Sequence, residues 1–322
     1  MNYNDKCREE IYKDGKFLMC KILYDNEETK KKLNVNLNDF GRIRTFYRKK
    51  FTDWNSDPIP LDIISEKLNY KELDKLDVQM LEVAKCNLHC WWCYLPDEIR
   101  RINDKYMEWF SPKELVDLIL RDNKDCKSIY LSGGNPELVP EFVYEFMKEL
   151  EERKISNDIL LWSDDVLTTD YNFNIDKDKL DYMINYQNYI KLCCLKGFDP
   201  ESFAFNTLLP KEVFNEQLSR LKKYIDLGFE VYCYIILTCN SLKNIKTKIK
   251  NIINQLQDIS YYLPLRVIPI KIEEFSAVTS RLNTERIKSM QNQYEVLKVW
   301  NQEIDNIYSE DERKQNIAKI KL

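Results

Sequence analysis

The sequence predicts an α/β protein built on a parallel sheet: a partial (β/α)6 barrel, preceded by an N-terminal extension and followed by C-terminal helices. Two observations carry this. From about residue 75 onward, short apolar runs alternate with stretches whose apolar residues recur every three or four positions. Six such runs separated by helical stretches imply parallel strands joined by crossovers. An open sheet would carry the same alternation, so the pattern alone leaves the degree of closure undecided. In either arrangement, ligands sit at the carboxyl ends of the strands.

The elements follow in order. "DVQMLEVA" (77–84) is the first strand. "SPKELVDLILRD" (111–122) is a helix with Ser111 as N-cap, Pro112 at the first helical position and Glu114 completing a capping box. "SIYLSGG" (128–134) is a strand running into a glycine turn, and "PEFVYEFMKELEERK" (140–154) a helix. Strand "DILLWSDD" (158–165) precedes helix "DKLDYMINYQ" (178–187), and strand "YIKLCCLKG" (189–197) precedes a helix at 210–228 closed by Gly228. "EVYCYIILT" (230–238) is a strand, 241–258 a helix, and "LPLRVIPIKI" (263–272) the sixth strand. Residues 1–75 fall outside the alternation and form an extension or small subdomain; "KFLMCKILY" reads as a strand and "DPIPL" as a linker near 57–61. The core spans 76–272, and a charged helical segment covers 273–322.

The 322 residues are 44% apolar, enough for a sizeable core, and 49 basic side chains face 53 acidic ones. The net charge of −4 gives no general attraction to nucleic acid or anionic lipid. No apolar run reaches the roughly 18 residues of a membrane span, and the first residues lack the apolar centre of a signal peptide. A cytoplasmic protein is therefore expected, with its ten cysteines reduced. Seven of them, Cys7, Cys20, Cys126, Cys193, Cys194, Cys233 and Cys239, are scattered and read as buried packing residues.

The other three are Cys86, Cys90 and Cys93, in "KCNLHCWWCYLPDE", directly after the first strand. Thiolates are soft ligands that suit zinc or iron–sulfur clusters. A closed zinc site needs a fourth ligand. His89, the only histidine, directly precedes Cys90, and adjacent side chains chelate one ion only under strain. A short loop capping three irons of a cubane suits the spacing better.

The C-x3-C-x2-C spacing, with Trp92 before the last cysteine, resembles the signature of the radical S-adenosylmethionine (radical SAM) superfamily. The resemblance covers about 76–272 and implies one 4Fe–4S cluster on Cys86, Cys90 and Cys93, with S-adenosylmethionine at its open iron. It also implies a site for each of several further residues. "SGGNPE" (132–137) is similar to the family's glycine turn that meets the amino group of S-adenosylmethionine, with Gly133 and Gly134 allowing close backbone approach and Asn135 standing where glutamate is usual. In "WSDD" (162–165), Ser163 and Asp165 are candidates for the ribose hydroxyls or the methionine carboxylate, while Asp164 reads as a solvated loop acid. Lys196 is a candidate for the carboxylate, and Trp92 for packing against the adenine or the cluster; Trp91 and Tyr94 read as shielding.

By this resemblance, a reduced cluster cleaves S-adenosylmethionine and the 5′-deoxyadenosyl radical takes hydrogen from a small molecule or peptide. An external one-electron reductant such as flavodoxin or ferredoxin is implied. An activase that installs a glycyl radical on a partner protein is the alternative enzyme, and a cluster-bearing binding or sensor protein the non-enzymatic one. Nucleic acid as a substrate finds no support in the charge. Residues 240–322 hold no cysteine, so a single cluster is expected.

Overall fold

The computed structural model describes residues 2–47, 54, 61–70 and 73–322. Its strands are β1 (Tyr12–Lys13), β2 (Lys16–Cys20), β3 (Val35–Asn36), β4 (Gly41–Tyr47), β5 (Lys75–Val83), β6 (Met107–Phe110), β7 (Ser128–Gly133), β8 (Leu160–Asp165), β9 (Tyr189–Leu195), β10 (Val231–Ile236) and β11 (Val267–Ile270). All belong to one 11-stranded sheet. Strands β5-β7-β8-β9-β10-β11 are neighbours in chain order and parallel throughout, which gives the six-strand core expected from the sequence.

The crossover helices explain how the sheet curves. Helices Pro112–Asp122, Pro140–Glu152, Lys177–Asn185, Val213–Leu227 and Ile245–Ile259 bury their apolar stripes in the same cluster as Leu81, Val83, Ile129, Leu131, Leu161, Cys193, Leu195, Cys233 and Ile235. Those strand residues share one face. With all five crossover helices on that face, a twisted parallel sheet curls into a partial barrel rather than lying open between two layers of crossovers. The sheet does not close: its path runs from β1 to β11. The other face carries Val78, Met80, Tyr130, Leu160, Trp162, Ile190, Leu192, Cys194, Tyr232, Tyr234 and Ile236, an inner cluster that includes Trp91.

Local chemistry sets the element ends. Ser111 Oγ accepts from the Glu114 N–H, and Glu114 returns a bond to the Ser111 N–H at 2.7 Å, so the capping box read from the sequence forms. Gly228, at φ +90°, ends helix Val213–Leu227 in the left-handed conformation that glycine adopts without strain. Phe17 and Phe142 meet edge-on at 4.9 Å, both fully buried, and burial of each ring contributes about 1.5–3 kcal/mol.

The N-terminal residues join the same sheet. β4 runs antiparallel along β5 from Gly41↔Leu81 to Tyr47↔Lys75, and β2 pairs with both β5 and β6. The pairing of β2 with β6 links segments about ninety residues apart, such as Phe17 with Phe110, and no periodicity announces it. The expected linker at 57–61 lies outside the described residues except for Leu61, which opens helix Leu61–Lys67. Helices Ser276–Thr279, Thr284–Ile307 and Glu310–Lys314 make up the C-terminal segment.

Candidate functional site

The cysteine loop leaves β5 through Lys85, whose φ of +63° is costly for a residue with a side chain. Neighbouring segments hold this turn in place. The Asn135 N–H donates to the Lys85 carbonyl at 2.9 Å, the Gly134 N–H donates to the Val83 carbonyl at 2.9 Å, and Lys85 Nζ pairs with Glu10 at 2.8 Å. A Cβ on Gly134 would lie 1.9 Å from the Lys85 carbonyl oxygen, and one on Gly133 would lie 2.7 Å from Glu82 Oε2. The close backbone approach expected of the two glycines is thus made to the chain itself, between the glycine turn and the cysteine loop.

Cys86, Cys90 and Cys93 are free thiols that gather in a small apolar cluster with Leu88, Trp92, Val166 and Leu209. Cys90 is buried, whereas Cys86 and Cys93 are half-buried. Burial pushes the Cys86 thiol up to about 11 and raises that of Cys90 further. Taking up a metal centre there displaces thiol protons. Among the described residues, no three His, Cys, Asp or Glu side chains are grouped so as to hold a single metal ion. His89 is exposed and meets the Tyr3 hydroxyl at 3.2 Å. The seven scattered cysteines are all buried and free, as packing residues.

Around the thiols, Lys196 is 8% exposed and its Nζ lies 5.2 Å from the centroid of the Trp92 ring. The buried polar atoms that lack a hydrogen-bond partner among the described residues include the donor Nε1 of Trp92 and the acceptor Oδ1 of Asn135. The Asn135 amide donates to Asn87 Oδ1 at 3.1 Å, and Asn87 Nδ2 donates to Asn4 Oδ1 at 2.9 Å and Thr168 Oγ1 at 2.7 Å. The glycine turn, the cysteine loop, the helix Tyr3–Glu9 and the segment after β8 are therefore joined behind the site. Asn206 performs the same task on the other side. It accepts from Trp91 Nε1 at 3.3 Å and from Thr238 Oγ1 at 2.7 Å, and donates to the carbonyls of Lys196 at 2.9 Å and Thr238 at 3.1 Å.

The structure separates the three residues after Trp162. Along β8, Leu160 and Trp162 join the inner cluster and Leu161 joins the helix-covered one. Strand alternation then turns Asp164 to the inner face and Ser163 and Asp165 toward the helices. Asp164 accepts from the Tyr130 hydroxyl at 2.5 Å and from Ser132 Oγ at 2.7 Å, both from β7. Ser163 and Asp165 instead join a fully buried network with Glu137, Tyr189 and Lys191, in which Lys191 Nζ lies 2.7 Å from Glu137 and 3.9 Å from Asp165. Burial, with Glu137 adding to it, raises the Asp165 carboxyl against the opposing pull of Lys191. Ser163 and Asp165, expected to meet a ligand, lie in this buried network on the helix-covered side, and the acid on the inner face is Asp164.

Glu82, one residue before the end of β5, also faces inward and went unnoticed in the sequence. It receives the Tyr94 hydroxyl at 2.7 Å and pairs with Arg42 at 3.1 Å while only 2% exposed. A lone acid in the apolar run "MLEVA", immediately before the cysteines, was the available signal.

Among the described residues, no helix is long and apolar enough to cross a membrane. Residues 83–241 match the family model of the radical SAM superfamily. No curated protein sequence matches the chain. Among solved structures, the chain is similar to Streptococcus suis SuiB bound to S-adenosylmethionine, at 15% identity over 71% of this chain and 48% of that one, with a TM-score of 0.46. It is also similar to native anSMEcpe with bound AdoMet, at 15% identity over 69% of this chain and 60% of that one, TM-score 0.45. A spore photoproduct lyase mutant with bound AdoMet and dinucleoside spore photoproduct matches at 8% identity over 81% and 78%, TM-score 0.44. The chain spans about half the length of SuiB. The match to the radical SAM superfamily model over residues 83–241 takes in the strand end, the three cysteines and the glycine turn.

Proposed function

We propose that Cys86, Cys90 and Cys93 hold one 4Fe–4S cluster at the carboxyl end of β5, and that the protein uses it with S-adenosylmethionine to abstract hydrogen from a small-molecule or peptide substrate. The observation that carries this reading is the gathering of three free thiols from one loop in a single apolar cluster, beside Trp92 and Lys196. The donor set fits: soft sulfur ligands, three in number, two of them half-buried and so within reach of an entering cluster.

The cluster, when bound and reduced by a one-electron donor of the flavodoxin or ferredoxin kind, supplies the electron that splits S-adenosylmethionine into methionine and a hydrogen-abstracting 5′-deoxyadenosyl radical. The chain's residues bind, orient and shield. Asn135 Oδ1, a buried acceptor lacking a partner, suits the ammonium of S-adenosylmethionine. Trp92 Nε1, a buried donor lacking a partner, suits an acceptor on the same molecule. Lys196 brings positive charge toward the methionine carboxylate. Asp164, on the inner face with Ser132, takes the ribose-hydroxyl role first considered for Ser163 and Asp165. Leu88, Val166 and Trp91 keep the surroundings apolar, which limits quenching by water.

The test is anaerobic reconstitution followed by chemical reduction in the presence of S-adenosylmethionine. The parent forms 5′-deoxyadenosine and methionine, while a variant with Cys86, Cys90 and Cys93 all changed to Ala forms neither. Equal product from both proteins contradicts the reading.

A further inference from the structure

We infer that Arg281, from the segment beyond the last strand, is a positioning residue for the cysteine loop and tunes the electronic environment of whatever the loop holds. It lies between helices Ser276–Thr279 and Thr284–Ile307, almost two hundred residues after the cysteines. Its guanidinium nonetheless reaches the loop with all of its fork. Nη1 donates to the Cys93 carbonyl at 2.5 Å, Nη2 to the Leu95 carbonyl at 2.5 Å, and Nε to Asp97 Oδ1 at 3.0 Å. The side chain is 9% exposed, so these bonds form largely out of water, where charge-assisted bonds are strong. A second arginine braces the first: Arg286 donates to the Arg281 carbonyl and sets its own guanidinium 5.9 Å from the centroid of the Trp91 ring.

The topology gives this contact its meaning. The parallel core begins at β5 and ends at β11, and the cysteine loop follows β5 while Arg281 follows β11. Arg281 therefore ties the two ends of the parallel core together across the mouth, at the residue that carries the third thiol. Lysine cannot substitute in full, because one ammonium does not span three acceptors held in the plane of a guanidinium. The fixed positive charge has a second effect. Reduction of a cluster adds negative charge, and a cation nearby stabilises the reduced form, so Arg281 raises the reduction potential.

This inference rests on Cys93 being a cluster ligand only for its electronic half, and the experiment separates the two. Hydrogen exchange of residues 86–99 is compared in metal-free parent, Arg281→Met and Arg281→Lys, and the midpoint of cluster reduction is then measured in the reconstituted proteins. Exchange in the loop speeds up on the order of tenfold in both variants, as expected when a charge-assisted clamp is lost. The midpoint falls in Arg281→Met and stays near the parent in Arg281→Lys, which keeps the charge. Parent-like exchange in a folded variant overturns the positioning role, and Arg281→Lys decides this if Arg281→Met does not fold. Equal midpoints in parent and Arg281→Met overturn the electronic role. A parent that takes up no iron contradicts the proposed function and the electronic role together, while the exchange arm still decides the clamp.

Discussion

Gly134 and Lys85 pack backbone against backbone: a Cβ on Gly134 would stand 1.9 Å from the Lys85 carbonyl oxygen and 2.8 Å from that of Ala84. The glycine turn is thereby fixed to the first residue of the cysteine loop, and the Asn135 N–H adds a hydrogen bond to the same carbonyl. The contact predicts that Gly134→Val disturbs iron uptake as well as S-adenosylmethionine binding, because no flexible side chain can give way. Iron per chain after reconstitution checks this, and a Gly134→Val protein with parental iron content and a parental melt would show that the turn and the loop are not coupled.

Asn135 links the same two segments by its side chain. Asn135→Leu leaves Asn87 Oδ1 without its donor in a fully buried setting, a loss of about 1–3 kcal/mol in stability. If Asn135 Oδ1 also receives the ammonium of S-adenosylmethionine, affinity falls by a comparable free energy, roughly 5- to 150-fold. Thermal melts of the metal-free protein beside calorimetry of the reconstituted one separate the effects. A variant that melts early but binds normally confines Asn135 to shaping the turn.

Much of this architecture was legible in the sequence, and the limits are physical. Helix Pro112–Asp122 was readable because its cap, its first-turn proline and its apolar spacing are all local. The cysteine triad was readable for the same reason, as spacing within one loop. The facing of residues 163–165 was not, because strands β9 and β10 are buried along their whole length and β8 nearly so. A strand with apolar residues on both faces shows no alternation from which to read direction. Asn206 and Arg281 were invisible for another reason: each acts on the cysteine loop from more than a hundred residues away. Glu82, a lone acid in an apolar run, is legible in the sequence itself.

Among the described residues, Lys191 is the one cation in the buried network on the helix-covered side of β8 and β9, facing Glu137 and Asp165 with no exposed surface of its own. Lys191→Met leaves two buried carboxylates without that partner and destabilises the fold by about 3–5 kcal/mol. Adding Glu137→Gln to Lys191→Met recovers part of the loss, since a buried charge is removed. Urea unfolding of the parent and the two variants measures both terms. A single variant within ~1 kcal/mol of the parent contradicts the importance of the pair.

Glu114 supplies a pH-dependent term. The Ser111 backbone N–H, followed by Lys16, holds its carboxyl at about 2, below the usual 4.5. A depressed carboxyl lends stability that is present above the unfolded value and is lost as pH falls through the folded one. Glu114→Ala therefore costs about 1 kcal/mol near neutral pH, mostly through the cap, because the pair with Lys16 is largely solvated. The difference in melting temperature between parent and variant shrinks from pH 4.5 toward pH 2. A gap that is constant over that range means the carboxylate form is not what stabilises the helix start.

The proposal that Cys86, Cys90 and Cys93 together hold one cubane cluster is decided by metal content. Iron and acid-labile sulfide are counted in protein reconstituted without oxygen, beside the variant with all three cysteines changed to Ala. The prediction is about four irons and about four sulfides per parent chain, and loss of both, with the visible absorption, in the variant. Changing Cys126, Cys193 and Cys239, which are buried elsewhere, leaves the count unchanged. A triple Cys86/Cys90/Cys93 variant that keeps its iron and its colour contradicts the account.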